Sequence, residues 1–272
     1  MLPGPPSELE PMMKGSVIPL LRKRQDSVIV SHNVHVYGRG EAMVAQMMDD
    51  LMESENPTLA PYAKDGEMFL RVTAKSKDEK AAEELCAPLI EEIKKRVGSY
   101  VYGVDANTLE ELVVKLLKKK KKKIAVAESC TGGLLAKRIT DVAGSSEVFE
   151  LGCVTYANSV KEKILGVERL KLEKHGAVSP EVAVEMAEGV RKLSDADIGI
   201  GITGIAGPGG GTDEKPVGLV YIALSDGKET FVNKRNPVRR NKDRDWHRLT
   251  AASSALDMVR RYLTGLDVIP KD

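Results

Sequence analysis

The chain has 272 residues, with 41 Lys and Arg against 40 Asp and Glu and a formal net charge of +1, so no global field draws it to nucleic acid or to an anionic membrane. Aromatics at 4% leave little for base stacking, and three widely spaced cysteines, Cys86, Cys130 and Cys153, fit reduced thiols in a cytoplasm and argue against a disulfide framework. His32, His35, His175 and His247 make no zinc-type spacing with cysteine, and no apolar run is long enough to span a membrane, so no metal, no cofactor and no membrane partner is expected.

Leu2-Pro3-Gly4-Pro5-Pro6 reads as a rigid turn, and Ser7 with Glu10 as a capping box that starts a helix. Val28, Val30, Val34 and Val36 alternate with polar residues, so residues 26–37 read as a strand, broken by Gly38-Arg39-Gly40. Residues 41–53 carry Val44, Met47, Met48 and Leu51 as a helical stripe, with the methionines as core filler. Asn56-Pro57 and Ala60-Pro61 mark a loop, residues 69–74 a second strand, and residues 78–97 a charged amphipathic helix. This small α+β unit has the make-up of a KH fold, yet it lacks the Gly-x-x-Gly clamp that such modules need. A spacer or dimerisation role is therefore expected of it, not nucleic-acid binding.

Residues 98–106 read as a boundary. Leu109, Leu112, Val113, Leu116 and Leu117 form a helical stripe that runs into Lys118 to Lys123, read as an exposed helix end whose lysines suit the dipole. Ile124-Ala125-Val126-Ala127 is a short apolar run that fits a buried strand. Glu128-Ser129-Cys130-Thr131-Gly132-Gly133 follows it, and Leu134, Leu135, Arg138 and Ile139 then recur at helical spacing. A polar, glycine-bearing segment thus sits where a strand turns into a helix. Such a turn can offer N–H groups to a phosphate or an oxyanion, or merely a capping hydroxyl. Beyond it, residues 151–156 read as a strand, and Val160, Ile164 and Leu165 as a short helix carrying Lys161. Ser179-Pro180-Glu181 opens a helix reaching about residue 193. Residues 196–203 form a strand that ends in the loop Gly204 to Thr212. Residues 217–224 and 229–233 read as a hairpin around Ser225-Asp226-Gly227, and residues 243–263 as a final helix. Alternating strands and helices give a layered α/β unit behind the small α+β one.

Three strand tips offer polar groups: Ser129 with Thr131, Tyr156 with Asn158 and Lys161, and Thr203 with its glycine loop. In an open α/β sheet such tips can converge. No histidine suits a Ser-His-Asp triad, so Lys161 is the available base for a hydroxyl nucleophile, given a depressed pKa. Arg244 or Arg248 could be its cationic neighbour or could fork onto a phosphate. The glycine loop lacks the Lys-Ser/Thr ending of a P-loop, and Lys215 beyond it reads equally as a surface lysine or a phosphate ligand.

Four segments together resemble the C-terminal domain of the CinA family of competence/damage-inducible proteins. They are Ala127 to Gly133, Val154-Thr155-Tyr156-Ala157-Asn158 with Lys161, Thr203-Gly204-Ile205-Ala206-Gly207-Pro208, and Lys242-Asp243-Arg244 with Arg248. The resemblance implies a nicotinamide-nucleotide amidohydrolase. Ser129 would be its nucleophile and Lys161 its base, with Tyr156 in the same catalytic site. Thr131, Gly132, Gly133, Asn158, Thr203, Gly204, Gly207 and Arg244 would bind substrate, and N–H groups of the 131–133 turn would hold the oxyanion. It also implies domains at 1–14 (the end of a molybdopterin-binding-like domain, most of it missing), 15–104 (a KH-like connector) and 105–272 (the amidohydrolase). The expected setting is a cytoplasmic homodimer acting on a small nucleotide. Cys130, next to Ser129, is the competing nucleophile.

Overall fold

The computed structural model describes residues 2–64, 66–106, 108–236 and 243–270, and it holds two β-sheets. The chain opens with α1 (Pro6–Met12), a π-helical turn (Met13–Val17) and α2 (Ile18–Arg22), none of which buries a residue. Helix α1 starts at Pro6, with Pro5 as its cap and no side-chain bond. The expected Ser7–Glu10 capping box is therefore not made: Ser7 already lies inside the helix, where its hydroxyl has no cap to supply. The expected junction after residue 14 falls within this helical run.

The first sheet comprises β1 (Val28–Val36), β2 (Thr58–Lys64), β3 (Glu67–Ser76) and β4 (Val101–Val104), in the order β2-β3-β1-β4, with every pair antiparallel. Between β1 and β2 lie α3 (Glu41–Met47) and α4 (Asp49–Met52). Helix α5 (Glu79–Val97), capped by the Asp78 carboxylate on the Ala81 N–H, covers one face. Its Cys86, Ile90 and Ile93 meet Val34, Val36, Leu70 and Val72, the inward set of the alternating strands.

The helix expected over residues 41–53 is broken at Met48 into α3 and α4, and two strands of this sheet were not expected. Residues 58–64 form strand β2 where prolines suggested a loop. Pro61 pairs with Leu70 on an edge strand, where a missing N–H costs no ladder bond. Residues 101–104 form β4, which extends the sheet from β1 up to the expected boundary.

The second sheet comprises β5 (Ile124–Glu128), β6 (Phe149–Val154), β7 (Ile198–Gly204), β8 (Val220–Ser225) and β9 (Thr230–Arg235), in the order β6-β5-β7-β8-β9. β5 runs parallel to both β6 and β7, and β8 and β9 close the sheet antiparallel. Helix α6 (Leu109–Lys120) precedes β5, and α7 (Leu134–Thr140) connects β5 to β6. Then come α8 (Asn158–Leu165), α9 (Arg169–His175) and α10 (Pro180–Ser194) before β7, with α11 (Arg244–Thr264) at the end. Helices α6, α7 and α11 pack on one face through Leu117, Leu135, Ile139, Leu256 and Val259. Helix α10 packs on the other through Val182, Met186 and Val190. The result is an α/β/α layered unit.

Gly199 and Gly201 let α10 lie directly on β7: a Cβ at Gly201 would stand 2.3 Å from the Ala183 carbonyl oxygen. The lysine run ends α6 as expected. Lys121 takes the left-handed cap, and Lys118, Lys122 and Lys123 pair with Glu147, Asp197 and Glu150. Half of that basic patch is thus already neutralised.

Buried polar bonds join the two sheets. Glu67 of β3 lies 3.4 Å from the Arg138 guanidinium of α7, which also bonds Glu110 at 2.6 Å and Ser253 at 2.7 Å. The Tyr102 hydroxyl donates to Glu67 at 2.8 Å, and Tyr37 meets Ser254 of α11 at 2.7 Å. No helix among the described residues is long and apolar enough to cross a membrane.

Candidate active site

The C-terminal ends of β5, β6 and β7 open onto one cavity of about 270 Å³. A crevice there is what parallel strands with reversing neighbours create. Ser129, Cys130, Tyr156, Lys161, Thr203 and Arg244 line it, together with the Gly204–Gly207 turn. Three segments far apart in sequence therefore meet, as the sequence reading expects.

Lys161 is fully buried one turn into α8. Its Nζ donates to the carbonyl oxygens of Thr155 at 2.8 Å and Tyr156 at 3.1 Å, and lies 3.3 Å from the Ser129 Oγ. Burial pushes its pKa below the ordinary lysine value. No carboxylate lies within ion-pair distance of it among the described residues. A neutral amine held by two carbonyls turns its lone pair toward the third neighbour, the Ser129 hydroxyl. Ser129 itself is half-buried at the mouth of the cavity.

Cys130 also lines the cavity but is only 5% exposed, and burial pushes its thiol up to about 12. A thiol this protonated is a poor nucleophile at neutral pH. Cys130→Ala is accordingly expected to keep most activity, and iodoacetamide to label Cys130 slowly at pH 7.5. Mass spectrometry of the labelled protein and steady-state rates of the variant check both.

The Tyr156 ring is 60% exposed at the rim. Arg244 spans the cavity mouth, donating to the Gly207 carbonyl at 2.8 Å and to the Tyr156 hydroxyl at 3.3 Å. It stands first on α11, behind the Asp243 cap, which accepts from the Trp246 N–H. Thr203 donates its hydroxyl to the Ala177 carbonyl at 2.7 Å, so it ties the glycine loop to the loop before α10. Gly207 needs its left-handed backbone, and a Cβ there would meet Val217 at 2.5 Å. Lys215 donates to the His175 carbonyl at 2.6 Å, bracing its loop against the end of α9, and does not line the cavity.

Four predicted substrate-binding residues stand elsewhere. Asn158 is exposed at the start of α8 and lies off the cavity. Thr131 is fully buried, its carbonyl held by the Arg248 guanidinium at 2.9 and 3.1 Å. The N–H of Gly132 bonds the Ser129 carbonyl, and that of Gly133 bonds the Glu128 carboxylate. Neither glycine is therefore available as an oxyanion donor, because the turn consumes both groups internally. Among the described residues, the Thr131 N–H meets no acceptor, and the Cys130 N–H faces only its own sulfur. Lys242 of the predicted motif lies outside the described residues.

Sequence reasoning gave no part to Glu128, Ala177 or Val178. The last two line the cavity by way of the loop before α10. The one available signal was an acidic residue closing an otherwise apolar strand.

Residues 106–263 match the CinA C-terminal domain, and residues 31–103 match the damage-inducible protein CinA KH domain. A CinA-like protein of Desulfovibrio desulfuricans is 53% identical over 268 residues, which is 98% of this chain and 63% of that protein. A CinA-like protein of Kosmotoga olearia is 49% identical over 267 residues, 64% of its length. The chain thus spans less than two thirds of the relatives it matches. Among solved structures, the competence/damage inducible protein CihA from Agrobacterium tumefaciens is 38% identical with a TM-score of 0.55. It covers 57% of this chain and 93% of its own. The competence-damaged protein superfamily member from Escherichia coli is 33% identical with a TM-score of 0.52, over 59% of this chain and 92% of its own. With the two matches placed end to end along its two sheets, the chain belongs to the CinA family.

Proposed function

We propose that the chain hydrolyses the carboxamide of nicotinamide mononucleotide to nicotinate mononucleotide and ammonia, with Ser129 as nucleophile and Lys161 as base. The substrate rests on the likeness to the CinA C-terminal domain. The chemistry rests on one observation: a fully buried lysine amine, pinned by two carbonyls, with Ser129 Oγ as its third neighbour at 3.3 Å.

In this reading Ser129 Oγ attacks the carboxamide carbon as its proton passes to Lys161 Nζ. The oxyanion is held by the N–H of Cys130, the turn residue after Ser129 that lines the cavity. Collapse breaks the C–N bond, Lys161 returns the proton to the leaving nitrogen, and ammonia departs. Water, deprotonated by the same amine, then hydrolyses the acyl-enzyme and regenerates Ser129. Arg244 at the rim offers the substrate phosphate a planar fork, with Tyr156 keeping it in place.

Ammonia release from nicotinamide mononucleotide by the purified chain tests this directly. Turnover lost in Ser129→Ala is expected. Binding without turnover in the unaltered chain would instead favour a nucleotide-binding module. A chain beginning at Asp105 is expected to fold and to retain turnover, since every cavity residue lies beyond residue 128. A folded but inactive product would assign the first hundred residues a part in the site.

A further inference from the structure

Glu128 is the last residue of β5, between β6 and β7, and is only 1% exposed. No cation lies within ion-pair distance of it among the described residues. A buried carboxylate must find hydrogen bonds or give up its charge. Glu128 finds three: its oxygens accept from the N–H groups of Gly133 at 3.0 Å, Leu135 at 3.1 Å and Ala136 at 2.8 Å. The N–H of Leu134 goes to the Thr131 carbonyl at 3.2 Å. The first-turn donors of α7, which a helix leaves unpaired, are thereby all accounted for.

A helix start is usually served by a Ser, Thr, Asp or Asn at the cap position. Here the cap position is Gly133, and the acceptor comes from five residues upstream. The side chain therefore does more than cap. It closes residues 129–132 into a ring, fixed at the strand end by the bond from Ser129 N–H to the Ile202 carbonyl at 2.9 Å. From outside, Arg248 holds the Thr131 carbonyl of the same ring. The Ser129 side chain meets no partner but Lys161 among the described residues, so the backbone of this turn sets where its Oγ stands.

We propose that Glu128 is the positioning residue of the nucleophile turn, its carboxylate holding Ser129 against Lys161 from inside the protein. This rests on Ser129 being the nucleophile. It does not rest on the identity of the amide.

Glu128→Gln is the decisive change, because it keeps shape and places an amide N–H₂ against backbone N–H groups. The full chain and the variant are compared in two ways. The first is turnover of nicotinamide mononucleotide. The second is phosphonylation by a small alkyl fluorophosphonate, in which the Ser129 Oγ–P bond forms, fluoride leaves and Lys161 takes the proton. The expected result is a fall in kcat of about a hundredfold, with KM changed less than about threefold and labelling of Ser129 slowed in parallel. A variant that loses melting temperature yet labels Ser129 and turns over at the original rates would overturn the proposal and leave Glu128 a structural residue. Should the Gln variant not fold, Glu128→Asp keeps the charge, withdraws the oxygens by one methylene and carries the same comparison. If the unaltered chain labels at Ser129 but does not hydrolyse the nucleotide, the substrate reading fails and the labelling comparison still judges Glu128.

Discussion

Ser129→Ala is expected to lower kcat by about a thousandfold or more while substrate still binds. The attacking atom is lost, but the cavity wall formed by Arg244, Thr203 and the glycine loop is untouched. Lys161→Ala should fall to a similar level, because an amine whose other contacts are two carbonyls has only the serine proton to accept. The double variant should be little worse than either single one, since residues that act as a unit are non-additive. Steady-state kinetics of the three variants measure this. Additive losses would mean that Ser129 and Lys161 act in separate steps. Abolition of turnover by Cys130→Ala, with Ser129→Ala still active, would make this a cysteine enzyme.

The second large effect is on pH. Burial lowers the Lys161 pKa below the ordinary 10.5, and the reaction needs the neutral amine. The ratio kcat/KM should therefore rise with pH through the depressed value and level off above it. Lys161→Arg should abolish turnover at every pH, because a guanidinium stays protonated. The same shift acts on stability. Between the depressed value and 10.5 the unfolded chain binds a proton that the folded chain does not. Lys161 therefore makes the unfolding free energy grow as pH rises across that interval, and below it the residue destabilises the fold. Lys161→Met removes the cost of burying the amine and should flatten this dependence, which denaturant titrations at several pH values would read.

The layered unit was legible in the sequence because β5, β7 and α10 are dictated by apolar runs and a Ser-Pro-Glu start, signals that survive without tertiary context. Strand β2 was hidden by Asn56-Pro57 and Pro61, punctuation that means a loop unless one knows the strand lies at a sheet edge. Helix α9 was hidden because Leu170 and Leu172 alternate with polar residues, and only Leu172 is buried. In the site, the meeting of Ser129, Tyr156 and Lys161 follows from strand ends, which a motif can mark. The internal use of the Gly132 and Gly133 N–H groups could not be read. It depends on a tight turn onto the Ser129 carbonyl for the first and on a carboxylate turning back from strand to helix for the second, and no periodicity encodes either.

Helix α11 is buried at nearly every position from Thr250 to Arg261, between the second sheet and residues of the first, with Arg260 and Arg261 sharing the Asp257 carboxylate and reaching the Ser99 carbonyl. The amides of residues 250–261 cannot meet solvent by local fraying. They should exchange with deuterium only through global opening, so their protection reports the stability of the whole molecule. The helical run at Pro6–Arg22, which buries nothing, should exchange within the dead time of the same experiment.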